Sequence, residues 1–438
     1  MRSLRKPTQI FALLFGFSSV CSGQTIVEAI EQTLLTNPNI QSSAYNVDAA
    51  SALRRQSVAG YLPSIDLVFA RGREKSDNTT TRAAGDFDRN FDRFERSITM
   101  NQMLYDGFST ASFVKQQAAV LFATSERLSS TLENTALRAA QSYLEVLRRD
   151  QIVTLSQANL TQHDETLTKI EERFESGVGT KVDVVQTKGR RAQSKSSVLL
   201  SQKDARNGRV EFYRVVGESA RELTLPVRSK DLPETLEQAV QTAFRRNPQV
   251  KAAQYDLEAS QSARKQIRGG FQPRVDLALG ATRNDDMDGS PGANDDETAV
   301  IRMSYNLYRG GADRARMKEA QARINSAEQA LVGLRRSITQ DVSILWNDLE
   351  DLSIRIEYLQ VHVTSTEEVL EVYLEQLAIG KRTLLDVLDI QNELFRARSA
   401  LVSAEFQLRL AEFRLLATGG QFLASMGLSQ QAGALTQR

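Results

Sequence analysis

The chain is poor in the residues that do chemistry: among 438 residues there are one cysteine, one tryptophan and two histidines. His163 and His362 lie far apart within long helical patterns, with no His-Glu-x-x-His pair and no setting for a nucleophilic serine. The sequence reads as that of a protein that is not an enzyme and holds neither cofactor nor metal, and lone Trp346 reads as a packing residue. An excess of one charge is missing too, since 55 Lys and Arg stand against 54 Asp and Glu. Without a basic field the chain is not expected to hold nucleic acid. Beyond the first two dozen residues nothing approaches the roughly 18 to 20 apolar residues of a transmembrane helix. If this protein crosses a membrane, strands must do it, and a mean hydropathy of −0.36 places most of its mass in water.

What is present begins with an export signal. Arg2, Arg5 and Lys6 precede an apolar run from Ile10 to Val20 and then the small residues Ser22 and Gly23, so residues 1–23 read as a secretory signal peptide. Cys21 also admits lipidation, against which the sequence Ser18-Ser19-Val20 argues. Cleavage after Gly23 leaves an exported chain with no disulfide.

The organising stretch is Gly380-Lys-Arg-Thr-Leu-Leu-Asp-Val-Leu-Asp389. Gly380 suits a helix end, and Thr383 with Asp386 three residues on is a capping box that starts the next helix. After it Ile390, Ala397, Ala404 and Ala411 alternate with Leu394, Leu401, Leu408 and Leu415 as the two rows of a coiled-coil seam. The same grammar occurs 203 residues earlier, where Gly177, Thr180 and Asp183 take the places of Gly380, Thr383 and Asp386.

A second correspondence, offset by 210, aligns Pro38 with Pro248, Tyr45 with Tyr255, Arg54 with Arg264, Gly60 with Gly270 and Pro63 with Pro273, without a gap. The chain is a duplication. Its expected divisions are a first repeat at 24–218 with a β-hairpin at 61–106, a linker at 219–235, a second repeat at 236–425 with a β-hairpin at 271–308, and a tail at 426–438. Within each hairpin the period changes to two. Pro63 to Arg71, Phe94 to Tyr105, Pro273 to Thr282 and Ala299 to Tyr308 are expected strands joined by polar loops, the first loop seven residues longer. Asn284 to Asp295 has the spacing of a calcium loop, but strands flank it and Pro291 interrupts it, so it reads as an acidic extracellular loop.

From Gly107 to Gly177 and from Gly310 to Gly380 run two proline-free helical patterns of roughly 105 Å each. The helical segments beside them are about half as long, so two stacked end to end match one long helix. Four strands cannot close a barrel, and open edges are not tolerated in lipid. A water-filled pore would take about three chains.

These features resemble the TolC family of outer-membrane channel proteins over the whole mature chain, most specifically at Gly380 to Asp389 followed by Gln391-Asn-Glu-Leu-Phe395. The resemblance implies an α+β membrane protein: a homotrimer whose duplicated helical hairpins form a periplasmic tunnel and whose strands, four per chain, form a twelve-stranded barrel in outer-membrane lipid. It implies a periplasmic adaptor and an inner-membrane transporter as partners, of ABC type in a type I secretion system or of RND type in a small-molecule efflux pump. The Lys-Arg-Thr-Leu-Leu-Asp tip and the short tail resemble the secretion-linked branch. A non-channel coiled-coil scaffold of the periplasm is the remaining alternative.

By the same resemblance Asp386 and Asp389 match acidic rings at the tunnel's narrow end, Arg382 a basic residue bonded across the aperture, and Asp183 its acidic partner. Leu377 stands where the family has a tyrosine lock. Asp183 and Asp386 are also explained as helix caps, whereas Asp389, matched by Gln186 in the first repeat, is not. Six carboxylates around one axis, repelling pairwise by roughly 3 kcal/mol at ~6 Å, imply a preference for cations. Gly177, Val178, Gly179 and Thr180 in one tip, and Gly380, Lys381 and Thr383 in the other, are expected adaptor-docking residues.

Overall fold

The computed structural model describes residues 23–228, 232–430 and 433; the expected signal peptide up to Ser22, Cys21 included, part of the linker and most of the tail lie outside them. In chain order the elements are α1 (Ile26–Thr36), α2 (Pro38–Val58), β1 (Ser64–Glu74), α3 (Thr79–Ala84), β2 (Phe91–Tyr105), α4 (Ser109–Glu175), α5 (Lys181–Val216), α6 (Leu236–Arg246), α7 (Pro248–Gly269), β3 (Arg274–Met287), β4 (Ser290–Ser304), α8 (Ala312–Ala378), α9 (Leu384–Thr418) and α10 (Phe422–Ser425). The duplication is visible in lengths. Both α4 and α8 have 67 residues, α5 and α9 have 36 and 35, and α2 and α7 have 21 and 22. Asn37 and Asn247 each cap the helix that the following proline opens.

The expected seam holds α8 to α9, with Leu370 and Val363 buried against Val387, Leu394 and Ala397. Near the middle of the molecule the core is thicker. There α1, α2 and α4 meet the ends of α5 and α9 around Ile30, Leu132, Tyr143, Phe212 and Phe413. The fully buried Tyr143 hydroxyl accepts from the Thr224 amide at 2.9 Å and lies 2.7 Å from the Gln24 carbonyl, stitching the first described residues to the segment after α5.

All four strands form one antiparallel sheet in the order β1-β2-β3-β4, with β1 and β4 at its edges. The register puts Leu67 beside Ile98, Met100 beside Leu279, and Leu277 and Val275 beside Ile301 and Met303, all on one face. The opposite face carries Asp66, Thr99, Gly280, Thr298, Asp276 and Arg302. No described helix is long and apolar enough to cross a membrane.

Two expectations at the hairpins are corrected. Asn284 to Asp295 is not a loop: the strands run on through it, pairing Asn284 with Asn294 and Arg283 with Asp295, and turn at Asp288-Gly289. Both turn residues have positive φ, 54° and 75°, the conformation a two-residue hairpin needs. The returning strand ends at Ser304 rather than Tyr308, because its partner β3 begins only at Arg274. The loop of the first hairpin is instead long and carries α3, where Asn78 donates to the Asp288 carbonyl at the tip of the second hairpin.

Glu133 of α4 lies buried beneath α10, accepting from the Leu423 amide at 3.3 Å. Burial pushes its carboxyl up to about 7, the backbone bonds only partly opposing the shift. A raised folded-state pKa gives stability that is present at low pH and lost as pH rises through about 7. Glu133→Gln should therefore raise the thermal midpoint at pH 8, by the equivalent of about 3 kcal/mol, and leave it nearly unchanged at pH 4. Equal shifts at both pH values in detergent would refute this account.

Candidate functional site

Each long helix turns at its far end into a shorter partner, and the two turns are built alike. After α4 the chain enters the left-handed region at Gly177, φ 77°, and the Val178 and Gly179 amides donate back to the Arg173 carbonyl at 3.0 and 2.9 Å. After α8 it does so at Gly380, φ 76°, with the Lys381 amide donating to Gln376 at 2.9 Å. Only glycine takes that conformation cheaply. Thr180 and Thr383 then cap α5 and α9. Their hydroxyls accept from the Asp183 and Asp386 amides, and each carboxylate accepts from the threonine amide and, at 2.7 Å, from its hydroxyl. The Thr383 hydroxyl, with Arg382 nearby, holds the Asp386 carboxyl below the usual range.

The tips are exposed, but the contact between the hairpins just behind them is closed. Ile170 of α4 and Val184 of α5 pack on Leu384 and Leu388 of α9, with Leu377 of α8 against the same cluster. Next to this plug lies a polar layer. Fully buried Gln391 donates to the Thr166 hydroxyl at 2.9 Å, and Asn159 to Ser194 at 3.1 Å. His163 is buried in the same layer, and burial, with Arg190 nearby, lowers its pKa.

The expected aperture residues fall in one region but make unexpected partners within the chain. Arg382 lies 3.5 Å from Asp386, with its guanidinium 3.8 Å above the centre of the Tyr373 ring. It does not bond Asp183, whose carboxylate is engaged in its own cap. Asp389 is paired with Arg190 of α5 at 2.7 Å. Leu377 offers no hydroxyl, but its carbonyl and that of Ala378 accept from the Arg173 guanidinium at 2.9 and 3.3 Å. Arg173, Arg190 and Tyr373 were not singled out by the sequence, and Gln391 only as part of the family-like stretch, because the partner of each lies on an element whose facing side only the fold defines. Between the tips, Ile170, Arg173, Val178, Leu374 and Leu377 line an open groove of about 540 Å³.

A duplicated chain with two helical hairpins at one end and a narrow sheet, apolar on one face, at the other defines the class of outer-membrane channel proteins. Residues 29–218 and 239–421 match the family described as outer membrane efflux protein, and the chain belongs to that family. Its members are outer-membrane channels with a large periplasmic tunnel, and the outer membrane is where this protein resides. Among curated relatives, the outer membrane efflux protein BepC of Brucella suis is 27% identical, covering 92% of this chain and 87% of its own. The alkaline protease secretion protein AprF of Pseudomonas aeruginosa is 24% identical, over 89% and 83%. The outer membrane protein TolC of Escherichia coli is 24% identical, over 91% and 83%. Of the solved structures, CusC shares the fold with a TM-score of 0.80 at 15% identity, over 90% of this chain and 91% of that one.

The caps give the tips their shape, so removing one should loosen one tip alone. Thr383→Val is expected to cost about 1 kcal/mol locally and speed amide exchange at Asp386 roughly fivefold, with Thr180→Val doing the same at Asp183. Unchanged exchange at both positions would show that packing alone sets the helix starts.

Proposed function

We propose that three copies of this chain form one exit duct, serving a type I secretion system in which an ABC-type transporter and a periplasmic adaptor pass an exported protein to the outside. The observation that carries the duct is the sheet: four strands, apolar on one face and polar on the other, with an edge strand at each side. In hydrocarbon such edges need partners, and three sheets of this kind close a twelve-stranded barrel with its polar face on water. The helices support the same assembly. On α5 the side chains of Val182, Val185, Leu199 and Val210 are exposed, and on α8 those of Ile344, Tyr358 and Val361. Stripes of this kind are covered when α5 of one copy meets α8 of the next. On this reading the two repeats, 24–218 and 236–425, flank the linker 219–235 in every copy.

The secretion reading draws on the similarity to AprF, and on a tip that resembles the secretion-linked branch. The alternative, outlet of a small-molecule efflux pump with an RND-type transporter, is favoured by the similarity to BepC. A strain lacking the protein separates them. Loss of one or a few large secreted proteins with unchanged drug susceptibility is expected; intact secretion with raised susceptibility would replace the secretion reading by efflux. Family membership leaves the non-channel scaffold without support.

At the tunnel's far end, Asp386 and Asp389 with Arg382 and Asp183 are proposed to line the aperture. Gly177 to Thr180, with Gly380, Lys381 and Thr383, are proposed to meet the adaptor. Nothing lies within 4 Å of a Cβ built on Gly177, and the tip is exposed, so Gly177→Arg should spare trimer assembly but abolish export. Gly177→Ala, which carries the same backbone strain without the bulk, should export. Normal export by the arginine variant would place docking elsewhere.

A further inference from the structure

The pairing of Asp389 changes what an aperture ring would do. Arg190 projects from α5 of the first repeat, and its guanidinium donates to Asp389 of α9 at 2.7 Å, its side chain 28% exposed against 58% for the carboxylate. Neighbouring acids are already taken: Asp164 is bound by Arg191, and Glu171 by Lys188 at 2.9 Å. Asp389 is thus the acid to which Arg190 is committed. Two residues along α9, buried Gln391 bonds Thr166 of α4 and fixes the register that brings the pair together. The duplication does not supply the pair twice. Gln186 occupies the place of Asp389 in the first repeat, and Glu393, 3.9 Å from His362, occupies the place of Arg190 in the second.

We infer that Arg190 is a positioning residue that determines ion selectivity, holding Asp389 against α5 and cancelling its charge at the aperture. The inference rests on the reading of the tips as an aperture and refines it. The six carboxylates of three copies do not act as six free charges: each Asp389 has its counter-ion in the same chain. The duct passes ions with weak preference while α9 stays on α5, and a cation preference emerges when the two part.

Reversal potentials of purified channels in planar bilayers across a KCl gradient test this. Asp389→Asn leaves a free guanidinium and is expected to shift selectivity towards anions. Arg190→Gln leaves a free carboxylate and is expected to shift it towards cations, each on the order of threefold in permeability ratio. The double variant should return close to wild type, as should Arg190→Lys. The exchanged pair, Arg190→Asp with Asp389→Arg, keeps the two charges together and should also match wild type; it reports even if Arg190→Gln fails to assemble. Arg190→Gln at the wild-type value, a double variant equal to Asp389→Asn alone, or an exchanged pair that turns anion-selective would overturn the inference while leaving Asp389 in the aperture. If Asp389→Asn too has no effect, the aperture reading itself falls.

Discussion

Backbone groups on an open β edge find no partner in hydrocarbon, and that constraint shapes the chain at both ends. It forbids a four-stranded sheet from standing alone in a bilayer, so the strands contribute only a share of a wall. A wall built from several copies encloses a wide lumen, and the helices that continue it must be wetted on two sides. This explains why α4 and α8 bury so narrow a stripe for their length, and why the hydrophobic core thickens only where the short helices α1, α2, α6 and α7 pack beside them. It also explains the modest hydropathy of an outer-membrane protein: the lipid-facing surface is one face of a sheet, about half the side chains of four strands.

Much of this was legible in the sequence because it is periodic. Alternation over ten residues, a heptad ladder and two Gly-x-x-Thr-x-x-Asp tips each encode local structure, and the duplication lets each half corroborate the other. The failures have local causes. The second hairpin's turn was written plainly in Asp288-Gly289, the strongest short hairpin signal, but the run of acidic side chains around it resembled a loop. Pairing of Arg283 with Asp295 and Glu297, at 3.6 and 3.1 Å, compensates those charges across the strands, so acidity was the wrong guide. Strand ends were misplaced because pairing length depends on the partner, which no single strand records.

Site residues divided along the same line. Asp183 and Asp386 were readable as caps because a cap is a three-residue affair. Asp389 was readable as an exception because its counterpart is Gln186. Its partner was not readable, since Arg190 and Asp389 are 199 residues apart and meet only when α9 settles on α4 and α5. Arg173 is hidden for the same reason, as it satisfies carbonyls at the end of α8, acceptors that carry no side-chain mark.

The two arginines reveal a direction in an otherwise repeated molecule. Arg173 on α4 reaches the end of α8, Arg190 on α5 reaches α9, and the residues at the matching places in the second repeat are Gln376 and Glu393. The first hairpin therefore supplies the cations and the second accepts them. Pairs as exposed as these contribute about 1 kcal/mol or less, and the apolar plug beside them is small. Within the second hairpin, by contrast, Val363 and Leu370 of α8 are buried on Val387, Leu394 and Ala397 of α9, with partly buried Leu374, Ile390 and Leu401 extending the seam. Near the tip, exposed pairs and a small plug thus join the hairpins, whereas a longer apolar seam joins α8 to α9 within the second. A displacement that widens the tip would part the first kind and leave the second intact. Arg173 and Arg190 join the hairpins through guanidinium groups, and the strength of contacts as exposed as these follows the ionic strength around them.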